Sequence, residues 1–194
     1  MERERLIVSD DRGYDRSSPG EHLLGYHASG VAAVVRALAA VPVVRDDVVI
    51  DLGSGLGRVP ILAALLTGAT ARGVEIQSAL VERARACAAS VGVDVRFDAA
   101  DARDAAIDDG TVFYLYTPFV GPVLDAVLER LRAIASQRAI VVCALGFEIR
   151  RSWLAARALD DFWLTVYDSA IVGVPPRPPG QASDALLRAA RSIS

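Results

Sequence analysis

Asp51-Leu52-Gly53-Ser54-Gly55-Leu56-Gly57 decides how this chain folds. An apolar run, Val48-Val49-Ile50, precedes it, and a helical pattern, Arg58-Val59-Pro60-Ile61-Leu62-Ala63-Ala64-Leu65-Leu66, follows. A buried strand, a glycine turn and a helix start, in that order, bring bare backbone close to a nucleotide-like ligand. The glycine spacing narrows the ligand. A dinucleotide fold seats a pyrophosphate with G-x-G-x-x-G. Here the pattern is G-x-G-x-G, with Arg58 where the last glycine of that fingerprint would fall and Asp51 just ahead of the first.

Working outward, strands alternate with helices. Strands are expected at Val48–Leu52, Ala71–Ile76, Val93–Phe97, Thr111–Tyr116 and Ala139–Leu145. Between them, helices are expected from Arg58 to Thr67 (stopped by Gly68), over Ala79–Val91 and over Pro122–Ala135, with a polar loop at Ala99–Asp109. Alternation of this kind gives a parallel, doubly wound sheet with helices on both faces. Upstream, Ser18-Pro19-Gly20-Glu21 is a capping box opening a helix that carries Leu23, Leu24, Ala32, Val34, Val35 and Leu38 and ends before Pro42. Near the end, Phe162–Tyr167 and Ala170–Val174 are β-rich and separated only by Asp168-Ser169, too close for a crossover helix, so a hairpin is expected. The expected organisation is a flexible arm or lid over 1–17, a domain over 18–175, and a Pro-rich linker with a short tail over 176–194.

Composition bounds the function. The chain has 194 residues, 53% of them hydrophobic, and a net charge of −3, so it offers no general attraction to nucleic acid or acidic membranes. Its two cysteines, Cys87 and Cys143, sit in apolar patterns and read as buried free thiols, which fits a reducing cytoplasm. No signal-peptide core and no spanning segment is evident, and no metal-ligand spacing. Lysine and asparagine are missing altogether, which reads as the coding bias of a GC-rich bacterial genome. It also removes a lysine base or nucleophile and an asparagine that would hold a substrate amine.

The stretch Asp51–Gly57 resembles motif I of the class I S-adenosylmethionine (SAM)-dependent methyltransferases. That family has a seven-stranded sheet whose last strand inserts antiparallel, as the expected terminal hairpin would. Glu75 ends the second strand, where nucleoside-binding α/β folds place an acid against the ribose hydroxyls. The resemblance further implies that Gly53, Ser54, Gly55 and Gly57 approach the cofactor and that Ile76 packs on the adenine. It puts Asp101-Ala102 at the adenine edge, with Asp98 and Asp104 as competing acids, and Asp51 at the methionine end. At finer grain, Asp-Leu-Gly-Ser-Gly-Leu-Gly-Arg followed by Gly73-Val74-Glu75 resembles the branch of non-SET histone-lysine and related protein-lysine methyltransferases. The asparagine-bearing loop of that branch and a basic nucleosome-binding tail are both missing, so a histone substrate does not carry over.

Tyr116-Thr117-Pro118-Phe119 takes the place of motif IV, where enzymes acting on nucleobase or amide nitrogens carry Asn/Asp-Pro-Pro-Tyr/Phe. Thr117 does not offer an amide carbonyl to an amine, which argues against those acceptors while leaving Thr117 as a cofactor contact. Tyr116 and Phe119 would wall the transfer channel, where aromatic faces favour a sulfonium, or Phe119 would pack beneath the next helix. His22 and His27 flank Tyr26, and His27 is the candidate general base. Alignment with water excluded often suffices for methyl transfer, so a base is not required. The expected activity is methyl transfer from SAM, leaving S-adenosylhomocysteine, to an oxygen or nitrogen of a small molecule or protein side chain, with a homodimer an open possibility. The alternative is a non-catalytic SAM-binding module that regulates or scaffolds a partner.

Overall fold

The structure, a computed structural model, describes residues 30–116 and 119–193. The capping box at 18–21, His22, Tyr26, His27, Thr117 and Pro118 lie outside the described residues. In chain order the elements are α1 (Val31–Ala40), β1 (Val48–Leu52), α2 (Arg58–Thr67), β2 (Thr70–Glu75), α3 (Ser78–Val91) and β3 (Arg96–Ala99). They continue with β4 (Val112–Tyr116), α4 (Gly121–Ala135), β5 (Val141–Leu145), β6 (Leu154–Ala156), β7 (Leu164–Ser169) and α5 (Asp184–Ser192). The strands form one seven-stranded sheet in the order β3-β2-β1-β4-β5-β7-β6. β1 to β5 are parallel, and β7 runs antiparallel to both β5 and β6.

Continuous apolar runs make the central strands because both faces are covered. Ile50, Leu52, Phe113, Leu115, Val142 and Ala144 point into a core sealed by Val123, Val127, Leu128 and Leu131 of α4. The alternate residues Val49, Val112, Tyr114, Val141, Cys143 and Leu145 face Val34, Val35 and Leu38 of α1, Val59 and Ala63 of α2, and Leu186 of α5. A smaller cluster seats Val81, Ala84 and Ala88 of α3 against Phe97 and Ile61. Gly68 and Gly92 close α2 and α3 in the left-handed conformation, which costs glycine nothing.

Two expectations require correction. The third strand begins at Arg96, not Val93, because the Val93 amide donates to Ala88 O at 3.2 Å and still belongs to the end of α3. Pairing with β2 then runs on to Ala99, opposite Glu75. The terminal antiparallel pair also has a different partner. β7 pairs with Leu154–Ala156, which precedes it, and Ala170–Val174 forms a turn. Val174 N bonds Ile171 O at 3.1 Å, Gly173 has φ +85°, and Val172 is fully exposed, so nothing there continues a ladder.

The last residues are tied to the domain. The Arg177 guanidinium donates to Val41 O at 2.7 Å and pairs with the buried Asp47 carboxylate. Ser183 caps α5 through Leu186 N, and Leu186 is fully buried against α1 and α2. Cys143 is buried and Cys87 half-buried, both as free thiols, and burial pushes the Cys143 thiol up to about 12.

Candidate cofactor site at the carboxyl edge of the sheet

The loop after β1 is built on glycines that leave the usual backbone regions. Gly53, Gly55 and Gly57 have φ of +84°, +52° and +76°, values that strain any residue bearing a Cβ. The turn is closed by Gly57 N on Ser54 O at 2.8 Å and anchored to β2 by Gly53 N and Ser54 N, which both donate to Val74 O. Gly73, beside Asp51 in the ladder, makes room for it: a Cβ there would lie 2.5 Å from Ser54 Oγ and 2.7 Å from Phe97 Cδ1. The sequence reading missed this interlock, though glycine inside a strand signals close backbone approach. The Ser54 hydroxyl is buried and has no hydrogen-bond partner among the described residues. α2 begins at Gly57 without a side-chain cap, so its N-terminus keeps its favourable potential for electron-rich groups.

Glu75 is buried at the end of β2 and faces this loop. Its Oε2 accepts from Gly55 N at 2.9 Å and its Oε1 from Gln77 N at 3.0 Å. Each carboxylate oxygen can accept again, so capacity for ligand hydroxyls remains. Asp51 sits one residue before the end of β1 and is buried as well. Burial, and then the neighbouring Glu75 charge, hold the Asp51 carboxyl well above the usual carboxylate range. Two acids sharing a desolvated cleft favour a cation between them.

The adjoining edge supplies a flat, less polar wall. Ile76 is 40% exposed directly after Glu75, an uncovered apolar side chain beside buried acids. Ala100 N donates to Glu75 O at 3.0 Å and brings the following Asp101-Ala102 turn against the same strand end. Asp101 is held in that turn by the Arg103 amide and guanidinium, at 2.8 Å and 2.6 Å. The hydrogen bond from the Arg103 side chain leads in keeping the Asp101 carboxyl below its ordinary value. Ala102 is buried. Asp98, one of the competing acids, pairs instead with Arg96 at 2.7 Å.

β4 brings its own end to the same edge, since Leu115 lies opposite Leu52. Tyr116 is half-buried there and packs against the α1–α2 core. Phe119 is buried in the core beneath α4, and this decides between its two expected roles in favour of packing. Asp51, Gly53, Ser54, Gly55, Gly57, Glu75, Ile76, Asp101 and Ala102 thus lie at or just beyond the carboxyl ends of the adjoining strands β1, β2 and β3, with Tyr116 at the end of β4. His27 and Thr117 lie outside the described residues.

These features fit an adenosyl group with a charged tail: an unpartnered buried hydroxyl, a side-chain-free loop, a carboxylate with spare acceptors, and an exposed aliphatic face. The family model described as a methyltransferase domain matches residues 49–143, from β1 into β5. An RNA methyltransferase of Salinibacter ruber bound to S-adenosylhomocysteine is 31% identical, with a TM-score of 0.61 over 77% of this chain and 97% of that one. An rRNA methylase of Streptococcus thermophilus shares the fold at 9% identity, TM-score 0.53, over 76% of this chain and all (100%) of its own. A Pyrococcus abyssi tRNA (uracil-54, C5)-methyltransferase, 19% identical with a TM-score of 0.50, shares it over 72% of this chain and 38% of its own. No curated protein matches the chain. The cofactor is S-adenosylmethionine, and the protein is an enzyme that transfers its methyl group. The chain belongs to the class I SAM-dependent methyltransferases.

Proposed function

We propose that this enzyme methylates an oxygen or nitrogen nucleophile of a small molecule or a protein side chain, with the cofactor seated along Asp51–Gly57, Glu75-Ile76 and Asp101-Ala102. The observation that carries the assignment of the cofactor residues is the Glu75 carboxylate, pinned to the Gly55 amide at 2.9 Å, beside the buried Asp51. When bound, S-adenosylmethionine supplies an electrophilic methyl group on a sulfonium.

The chain's residues do the rest. Glu75 accepts the ribose hydroxyls with its remaining lone pairs, and Ile76 covers one adenine face. Asp101 and the Ala102 amide meet the adenine edge, where Asp101 exchanges its Arg103 contact for the ligand. Asp51, desolvated and beside a second carboxylate, gains a cationic neighbour at the methionine end. Gly53, Ser54, Gly55 and Gly57 bring backbone and the Ser54 hydroxyl against the tail. Tyr116 borders the acceptor, excludes water and helps align the nucleophile with the methyl carbon. Thr117 follows it, and His27 is the candidate to take the acceptor's proton. A place in a bacterial cytoplasm belongs to the same proposal and fits Cys87 and Cys143 as free thiols; no described helix is long and apolar enough to cross a membrane.

A second reading, an RNA acceptor, is favoured by the similarity to the Salinibacter ruber RNA methyltransferase. The net charge of −3 weighs against it. Calorimetric titration of S-adenosylhomocysteine and NAD into wild type and Glu75→Ala tests the cofactor. Micromolar binding of the former alone, weakened at least about tenfold by the substitution, is expected. Labelled SAM with fractionated cell extract tests the acceptor. Label in small molecules or protein supports the first reading, and label that ribonuclease removes supports the second.

A further inference from the structure

The segment joining β6 to β7 displays two aromatic rings to solvent. Phe162 is 91% exposed and Trp163 61%, and their rings meet edge to face at 89° with centroids 5.4 Å apart. The backbone under them is fixed. Asp161 Oδ1 accepts from Trp163 N and Leu164 N at 3.0 Å and 3.1 Å, and Gly146 N donates to Trp163 O at 2.8 Å. Asp161 Oδ2 in turn takes the Arg36 guanidinium of α1 at 2.8 Å. Burial alone would raise the Asp161 carboxyl, but these amides and Arg36 pull it below its ordinary value. Large apolar side chains exposed to water on a tethered backbone point to a partner.

Ladder register locates the rings relative to the cofactor crevice. Tyr116 pairs with Leu145, and Leu145 pairs with Leu164, the residue after Trp163. The Trp163 backbone is therefore two strand spacings, about 10 Å, from Tyr116 along the same edge. Charge indicates what binds. Arg36, Arg150, Arg151 and Arg157, on α1 and around β6 and β7, are each matched by a carboxylate: Asp161, Glu148, Asp125 and Asp168. That leaves Asp160, exposed, two residues before Phe162 in the chain and without an ion pair among the described residues. A nucleic acid would need an uncompensated basic groove with its stacking faces. A purely apolar partner would desolvate Asp160 unpaired.

We propose that Asp160, Phe162 and Trp163 form a recognition corner for a lysine or arginine side chain of a polypeptide acceptor, on the footing of the methyl transfer proposed above. Two perpendicular rings present a π face and an edge, a cation within about 6 Å of a ring face is attracted, and the carboxylate completes the charge. Extended chain advances about 3.3–3.6 Å per residue. A basic residue some three positions from the methylated one therefore reaches the corner while the methylated residue lies at Tyr116. Binding here is remote from the reacting atoms, so it selects and holds the acceptor.

The test uses the full chain with hexalysine, hexaglutamate and oligouridylate as probes. Of the two tryptophans, Trp153 is buried, so long-wavelength emission reports on Trp163. Saturable change with hexalysine alone is expected. Calorimetry should show it weakened at least about fivefold by Asp160→Asn, Phe162→Leu and Trp163→Leu, with S-adenosylhomocysteine affinity unchanged in all three. Hexalysine affinity indifferent to these substitutions would overturn the proposal. So would oligouridylate binding that depends on them, or self-association that Trp163→Leu abolishes. If wild type fails to bind S-adenosylhomocysteine yet still binds hexalysine, the methyltransferase site falls and with it the corner's role in acceptor selection.

Discussion

Glu75 Oε2 accepts the Gly55 amide proton at 2.9 Å, so the acid at the end of β2 and the glycine turn after β1 are one structural unit. Loss of the carboxylate removes the acceptor proposed for the ribose and leaves a buried N–H unsatisfied, a cost of about 1–3 kcal/mol. Glu75→Ala is expected to weaken S-adenosylhomocysteine at least about tenfold, equivalent to about 1.4 kcal/mol. Glu75→Gln keeps one acceptor oxygen and should lose about threefold. Equal affinities for all three proteins by calorimetry would remove Glu75 from the site.

Asp51 is expected to make binding proton-linked. Its carboxyl is raised by burial and then by Glu75, so its contribution to stability is complete below the unfolded-state value and lost as pH rises through the raised folded value. A sulfonium placed beside it reverses the preference and expels the proton. SAM binding should therefore release protons and tighten with pH across that window. Calorimetry in buffers of different ionisation enthalpy measures the release, and Asp51→Asn should abolish it.

Asp101 carries the opposite shift. Held below its ordinary value chiefly by the Arg103 side chain, its contribution is present above the unfolded value and lost as pH falls through the folded one. If the adenine displaces Arg103, then Arg103→Ala should leave S-adenosylhomocysteine affinity equal or tighter, while Asp101→Ala weakens it about tenfold. A matching loss in both variants would show instead that the pair acts as one.

Gly57 separates room from strain. Its φ is +76° and an added Cβ would lie 2.4 Å from the Phe97 ring, whereas Gly92, at φ +74°, has nothing within 4 Å. Gly57→Ala should cost about 2–3 kcal/mol, lowering Tm by about 5–10 °C, and Gly92→Ala only about 1 kcal/mol. Comparable thermal shifts for the two would mean that Phe97 yields.

Leu186, fully buried between α1 and α2, tests whether the tail belongs to the folding unit. Leu186→Ala should cost about 2–4 kcal/mol in urea unfolding with an unchanged slope. A stability equal to wild type would show that α5 detaches in solution.

The sequence by itself determined the strand–glycine–helix unit, the alternating framework and the acids at the strand ends. These depend on local causes: backbone angles that glycine accepts, apolar runs for strands covered on both faces, and acids near the ends of β1 and β2. Asp51 and the glycines lie within a few residues of one another in the chain, and Glu75 follows from the end of the next strand, so their placement near one sheet edge could be expected from the sequence.

Tertiary structure decided what depends on partners distant in the chain. Leu154–Ala156 is too short and too rich in alanine to read as a strand, and it becomes one only because β7 offers it a ladder. The Pro-rich tail looks like a linker until Arg177 finds Asp47 and Leu186 finds α1 and α2. Phe119 goes to the core and Phe162 to solvent although both stand near strand ends, because α4 packs over Phe119 and no described element covers Phe162. Proximity of Trp163 to Tyr116 exists only through two successive strand pairings, which fix position across a sheet and leave no periodicity along the chain.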